Sequence, residues 1–335
     1  MDFGLTDEQG QLAASESAWL SRNDPVARIR AALDTAAVTL DPAAVAHLAE
    51  SGLAALLTPE MGGSHVDLAV ITEAHGYAAS SLPVADLAVS TWLLESVGMA
   101  PVDGARVGLA FGSNADADGH TVRLAGVSSP VPMAADMAAV AVAGHVGERE
   151  YLALLDEPEL SAMTTLDLTR SWARVDLDGT LAEWTELPAG TLALAREAMA
   201  VHRAFDALGA AARLLDMTVA YAGQREQFGV PIGSFQAVKH HCADMAVAVE
   251  ASRASLWAAA LALDTASGAA RTRAASAGAA YAKAAAARVA GDALQVHGGI
   301  GFTWEHDLHL FLRRIKVDEA LDGTVAEHRA ALVPT

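Results

Sequence analysis

Apolar residues recur at helical spacing through residues 1–100, break into short alternating runs beyond Pro101, and return to long helical spacing from Pro188. The stretch DPAAVAHLAESGLAALL opens on Asp41 and Pro42, a capping side chain followed by a proline suited to a first turn, and predicts a helix start there. The proline- and glycine-bearing loop TPEMGGSHVDL follows, and AVITEAHGYAASSLPVADLAVSTWLLESVG resumes the helical pattern. In the middle of the chain, Asp–Gly pairs at Asp103, Asp118 and Asp178 stand beside HTVRLAGV, MAAVAVAG, YLALLD and WARVDLDGTLAEW, which are strand and hairpin signals. Three long helical runs then carry the chain past residue 290. The pattern predicts an α+β protein: a helical domain over 1–101, a small β domain over 102–187 and a bundle of four-helix type over 188–335.

Composition narrows the function classes. A net charge of −19 with no basic tract leaves nothing to offset phosphate repulsion, so no nucleic-acid partner is expected. The single cysteine, Cys242, rules out an intrachain disulfide framework and fits a reducing compartment. The N-terminus has no signal-peptide pattern. The most apolar stretches are broken by charge, as Asp136 breaks PVPMAADMAAVAVAG, so the expectation is a cytoplasmic protein without a membrane span. No metal site is expected, because the adjacent His240 and His241 cannot share one helix face.

Two stretches carry more information. In YAGQREQFGVPIGSFQAVKHHCADM, residues 221–245, a helix ends near Gln224 and another opens around Ser234. An arginine in the loop between them can grip a phosphate with two N–H groups, and Phe228 can cover an aromatic ring. In ALQVHGGIGFTWEHDLHLFLRRIKV, residues 293–317, Gln295 precedes three clustered glycines, Gly298, Gly299 and Gly301. Each glycine costs a helix about 1 kcal/mol relative to alanine, so the cluster marks a turn or a close backbone approach. Bare N–H groups there can face a pyrophosphate. Taken singly, each stretch fits a plain helix–helix corner equally well.

In this order, RxxFGxxIxxFQxxxHxxADM followed by QxHGGxGFTWExxLHLxxRR closely resembles the C-terminal domain of acyl-CoA dehydrogenases. MDFGLTDEQ, LAESGLAALLTPEMGG and TTLDLTRSWARVDLDG extend the resemblance over nearly the whole chain. It implies an α–β–α flavoprotein that binds FAD and oxidises a CoA thioester at Cα–Cβ: a base takes the α proton and the β hydrogen leaves as hydride. It assigns Arg225 and Phe228 to the adenosine–pyrophosphate half of FAD, and Gln295 and Gly299 to the same half from across a dimer interface. Gln236, Gly298 and Thr324 complete the expected cofactor set. Electron-transfer flavoprotein is the expected electron acceptor.

The chain departs from the family pattern in two places. The Thr–Glu–Pro loop and the flavin-stacking tryptophan segment of the β domain are replaced by GLAFGSNADADG and AGVSSPVPMAAD, where Ser128 or Ser129 could stand in for a threonine hydroxyl. The family's base, a glutamate, is replaced by Asp322 in ALDGTVAEHR. Its carboxylate is one methylene shorter, and a displacement near 1 Å can slow catalysis about a hundredfold. Asp322 is thus a candidate base or a cap for the following helix, with Thr324 a second capping candidate. Counting back from Arg225 to the alternative base position lands on Met199 and Ala200, with Glu197 nearby as a helix-start acid. Arg313 and Arg314 read as a solvated or interface face. Features serving the adenosine half are kept and those of the chain's own flavin and substrate pocket are eroded. That asymmetry predicts one subunit of an α2β2 heterotetramer, resembling actinobacterial steroid-type enzymes, with FAD shared with an unlike partner and an acyl-CoA substrate. The alternatives are a homomeric flavoenzyme using Asp322 on an acyl-CoA or nitroalkane-like acid, and a non-catalytic scaffold.

Overall fold

The computed structural model describes residues 4–23, 26–33, 38–99, 106–112 and 115–333. The expected boundary at 101/102 and the Asp103 turn lie outside those residues. The N-terminal region holds α1 (Asp7–Asn23), α2 (Val26–Leu33), α3 (Pro42–Ser51), α4 (His65–Tyr77) and α5 (Val84–Ser96). Asp41 caps α3, accepting from the Ala43 N–H at 2.9 Å, and Gly52 ends it in the left-handed conformation at φ 68°. The expected run past Gly52 continues only as a short 3₁₀ turn. The second expected helix starts earlier than its loop reading, because Ser64 and Asp67 form a reciprocal capping box at the head of α4. It also breaks before Pro83, which separates α4 from α5.

The β region holds β1 (Val107–Phe111), β2 (Asp116–Asp118), β3 (Thr121–Arg123), β4 (Val131–Pro132), β5 (Ala139–Val146), β6 (Arg149–Leu155), β7 (Leu160–Met163), β8 (Trp172–Val175) and β9 (Leu181–Leu187). Six strands form one sheet in the order β1-β5-β6-β9-β3-β2, with β1 parallel to β5 and the remaining pairs antiparallel; β4-β8-β7 form a second sheet. The expected hairpin at Asp118 is the β2–β3 turn. Val122, Val131, Val140, Tyr151 and Val175 fill the core between the sheets.

The C-terminal bundle is built from α6 (Thr191–Gln224), the two-strand hairpin β10 (Glu226–Gln227) and β11 (Val230–Pro231), α7 (Gln236–Thr265), α8 (Gly268–His297), α9 (Leu308–Ala320) and α10 (Val325–Ala330). α7 is the one described helix long and apolar enough to cross a membrane; Met245, Val249, Leu256 and Leu263 instead bury one face of it in the bundle. The N-terminal helices and the bundle share one core, joined where α4 crosses α6. A Cβ on Gly209 would lie 2.0 Å from the Glu73 carbonyl oxygen, and one on Gly76 would lie 2.1 Å from that of Asp206, so only glycine permits this crossing. Gly209→Ala is expected to destabilise by about 2 kcal/mol or more. Gly10→Ala in α1, where nothing lies within 4 Å, should be neutral or gain up to about 1 kcal/mol. Urea unfolding midpoints of the two variants check this, and equal midpoints would refute the crossing constraint.

Candidate functional site

α6 runs to the end of the bundle where α7 begins and α8 finishes, which gathers most of the expected cofactor residues there. Phe228 and Gly229 form the β10–β11 turn, with φ 55° and 82°, so Phe228 is held out at the tip and is 93% exposed. Arg225 follows the last turn of α6; its guanidinium is exposed and has no partner among the described residues. Gln236 opens α7 and pairs with His240 at 2.9 Å. Gln295 is exposed on the last turns of α8. Gly298 takes φ 62° and ψ −138°, a conformation open to glycine alone, and no atom lies within 4 Å of a Cβ placed on Gly298 or Gly299. Gly301 serves packing instead, since a Cβ there would sit 3.0 Å from Leu294. His241 and Asp292, 2.9 Å apart, tie α7 to α8 at this end. An exposed cation with no partner among the described residues, an exposed aromatic ring and a turn with no side chain nearby fit the adenosine–pyrophosphate half of a dinucleotide. The resemblance puts Gln295 and Gly299 across a dimer interface from Arg225 and Phe228; within this chain the two sets share one end of the bundle.

Thr324 lies elsewhere. It caps α10, accepting from the Glu327 N–H at 3.2 Å and donating to its carboxylate at 2.8 Å, so its hydroxyl is already used. Asp322 caps nothing. It sits at φ 53°, and its carboxylate accepts from Arg203 Nε at 3.0 Å. His328 and the buried Lys283 hold the surrounding loop through the carbonyls of Asp322 (3.1 Å) and Gly323 (2.7 Å). Burial pushes the Lys283 ammonium down to about 8, against the opposing pull of Asp322 and Asp318.

Asp322 lines a cavity of about 260 Å³ where the β region meets the bundle, together with Phe111, Arg196, Glu197, Ser276 and His328. Arg196 lies 4.5 Å over the Phe111 ring, so β1 and α6 meet in the cavity wall. Cavities that bury drug-sized ligands run from about 300 to 1,000 Å³, so there is little room for a flavin ring and a thioester together. Glu197 lies in the second turn of α6, not at its start, and is held by Arg271 and by Thr272 Oγ1 at 2.6 Å. Ser128 Oγ donates to the Ser129 carbonyl at 2.6 Å and accepts from the Val175 N–H at 2.9 Å; Ser129 Oγ accepts from the Phe111 N–H at 2.9 Å. Both hydroxyls are committed to the sheets.

Behind Asp322 the interior is filled by charge. Arg203 bonds Asp86 at 3.0 Å and thereby separates the cavity from an inner void of about 10 Å³, room for a single water. Arg314, expected on a solvated or interface face, is fully buried within the chain. It grips Asp206 with two bonds of 2.6 and 2.7 Å and donates to the Ser80 carbonyl and Thr169 Oγ1, each at 2.8 Å. Arg170 adds a second cation to Asp206 at 3.1 Å. Burial pushes the Asp206 carboxyl up, but the Arg314 and Arg170 charges outweigh it and hold the group below the usual range. Asp318, buried and beside the Asp206 charge, is pushed well above that range. Sequence reasoning missed Asp86, Arg170, Arg203 and Lys283. Arg314 left one signal: it falls on the buried stripe of α9 with Leu308, Phe311, Ile315 and Asp318.

The profile of the acyl-CoA dehydrogenase C-terminal domain matches residues 191–333, and the chain belongs to the acyl-CoA dehydrogenase family, FAD oxidoreductases that act on CH–CH bonds. Acyl-CoA dehydrogenase IpdE2 of Mycolicibacterium smegmatis is 31% identical to it over 96% of this chain and 97% of that protein. FadE34 of Mycobacterium tuberculosis is 35% identical over 80% of this chain, which spans 38% of FadE34. Among solved structures, the Tcur3481–Tcur3483 steroid ACAD superposes with TM-score 0.87 and 25% identity over 97% of this chain and 96% of that one. The ChsE4–ChsE5 complex from M. tuberculosis gives TM-score 0.89 at 22% identity over the full length of both chains, a likeness of fold.

The buried charges make opposite predictions. Arg314→Met leaves Asp206 undercompensated and should cost about 3–5 kcal/mol. Because the folded Asp206 carboxyl is depressed, its contribution is present above the unfolded value of about 3.9 and is lost as pH falls through the folded one. Asp318 has the reverse sign: its raised carboxyl costs stability as pH climbs from about 3.9 toward the folded value. Asp318→Asn should therefore match or exceed wild-type stability at pH 8. Urea unfolding from about pH 2 to 8 checks both, and a large loss in Asp318→Asn at pH 8 would contradict the assignment.

Proposed function

We propose that this chain is one subunit of a heteromeric FAD-dependent acyl-CoA dehydrogenase that desaturates a CoA thioester. It contributes the adenosine–pyrophosphate side of a FAD site whose flavin and substrate side belong to an unlike partner, in an α2β2 tetramer. One contrast carries the reading. Arg225, Phe228, Gln295 and Gly299 stand exposed at the bundle end, and no side chain covers the Gly298–Gly299 turn, whereas Asp322 is already held by Arg203 in the wall of a small cavity.

FAD held at such a site would supply the hydride acceptor for oxidation of the thioester at Cα–Cβ. Arg225 would neutralise pyrophosphate charge, Phe228 would cover the adenosine, and the glycine turn would let the backbone come close without a side chain in the way. Asp322 is already engaged by Arg203 at 3.0 Å, so this reading assigns the α proton to a base on the partner. The relatives support the class of substrate and assembly: one structural neighbour is described as a steroid ACAD and another as a complex of two unlike chains. A steroid side-chain CoA ester is accordingly the proposed substrate, with electron-transfer flavoprotein as acceptor. The domain limits 1–101, 102–187 and 188–335 remain our proposal for how the chain divides.

The test is flavin absorbance at 450 nm per protein chain, with native mass, for the protein alone and co-expressed with candidate acyl-CoA dehydrogenase partner chains. The expected result is little flavin alone and about one FAD per unlike pair in a tetramer. One FAD per chain in the isolated protein would overturn the proposal in favour of a homomeric enzyme.

A further inference from the structure

One ring contact joins the two segments assigned to the cofactor. His297 ends α8, is 4% exposed, and stacks on Tyr221 of α6 with ring centroids 4.5 Å apart and planes 19° from parallel. Each ring sits directly beside a segment assigned to the nucleotide. The Tyr221 carbonyl accepts from the Arg225 N–H at 2.8 Å, and the Arg225 carbonyl accepts from the Ile232 N–H at 2.7 Å, closing the Phe228 hairpin. His297 is followed at once by Gly298, and Gly301 folds back so that a Cβ there would lie 3.2 Å from His297 Cβ. The His297 ring is fixed from its own helix: Nδ1 lies 2.8 Å from the Ala293 carbonyl and so carries the proton. The His306 ring closes on it edge-on at 4.7 Å, and Nε2 is buried without a partner. Beyond His306, Arg30 of α2 binds Asp307 and the Glu305 carbonyl at 3.0 Å, anchoring the far end of the loop.

We propose that the Tyr221–His297 stack is a positioning pair. It locks the Arg225 hairpin and the Gly298–Gly299 turn in one register, so that a dinucleotide meets the cation and the bare backbone together. Neither Tyr221 nor His297 lines the Asp322 cavity. The stack therefore acts on the adenosine half alone, and should set the preference for FAD over FMN, which lacks that half. This inference rests on the shared-site reading above and adds the residues that tune it.

The experiment measures FAD and FMN affinities of the co-expressed heteromer carrying His297→Ala, Tyr221→Ala, both changes, or His297→Phe. The alanine variants should weaken FAD binding on the order of tenfold, with the double variant no worse than either single one, as expected for one shared contact. FMN binding should stay unchanged, and His297→Phe, which keeps a ring to stack, should restore FAD binding. In the isolated chain, His297→Ala should speed hydrogen exchange at the Ile232 amide, on a different element, whether or not flavin is bound. FAD and FMN affinities that fall together, or an Ile232 exchange rate that does not change, would overturn the positioning role. A wild-type heteromer that binds no FAD, with faster Ile232 exchange in His297→Ala, would refute the shared site while leaving the mechanical coupling in place.

Discussion

The bidentate pair between Arg314 and Asp206 is the contact on which the remaining architecture depends. It lies where α6, α9, the Ser80–Leu82 turn and the Thr169–Arg170 segment of the β region converge, almost wholly shielded from bulk solvent. Burying charge is expensive unless partners are complete, and here they are: each guanidinium N–H group that faces inward meets an oxygen. The pair thus specifies how β region and bundle meet far more than it adds net stability. The glycine crossing of Gly76 and Gly209 sits one turn away and brings Asp206 close enough for the pair to form.

From that junction the two halves of the functional story follow. Arg203, one turn before Asp206 on the same helix, extends the charge network to Asp86 and Asp322 and fills the space behind the cavity. A helix devoted at its middle to buried ion pairs cannot also line a deep apolar pocket there. At its far end the same helix is free of such demands, and it delivers Tyr221, Arg225 and the hairpin to the surface. Closure at one place and exposure at the other are two ends of α6.

Much of this was readable from sequence. The capped start at Asp41, the Asp118 hairpin, the end of α6 at Gln224 and the glycine turn all rest on local backbone rules, and each falls where those rules put it. Family membership was carried by two motifs with fixed spacing. The ion network was not readable, because a buried arginine and a solvated one have the same letter. Arg313 and Arg314 are adjacent, yet only Arg314 falls on the stripe that α9 turns inward. The partners Asp206 and Arg314 lie 108 positions apart, a pairing that no local pattern reports. Asp322 was left as base or cap; the fold gave the cap to Thr324 and gave Asp322 to Arg203, a residue that sequence reasoning had no reason to single out.

The account turns on which chain holds the base. The direct measurement is the rate at which a CoA thioester bleaches the flavin of the heteromer when this subunit carries Asp322→Asn, compared with the wild-type heteromer under anaerobic stopped flow. An unchanged bleaching rate with unchanged flavin content is the predicted result. A fall of about a hundredfold or more with flavin retained would contradict it and make Asp322 the base.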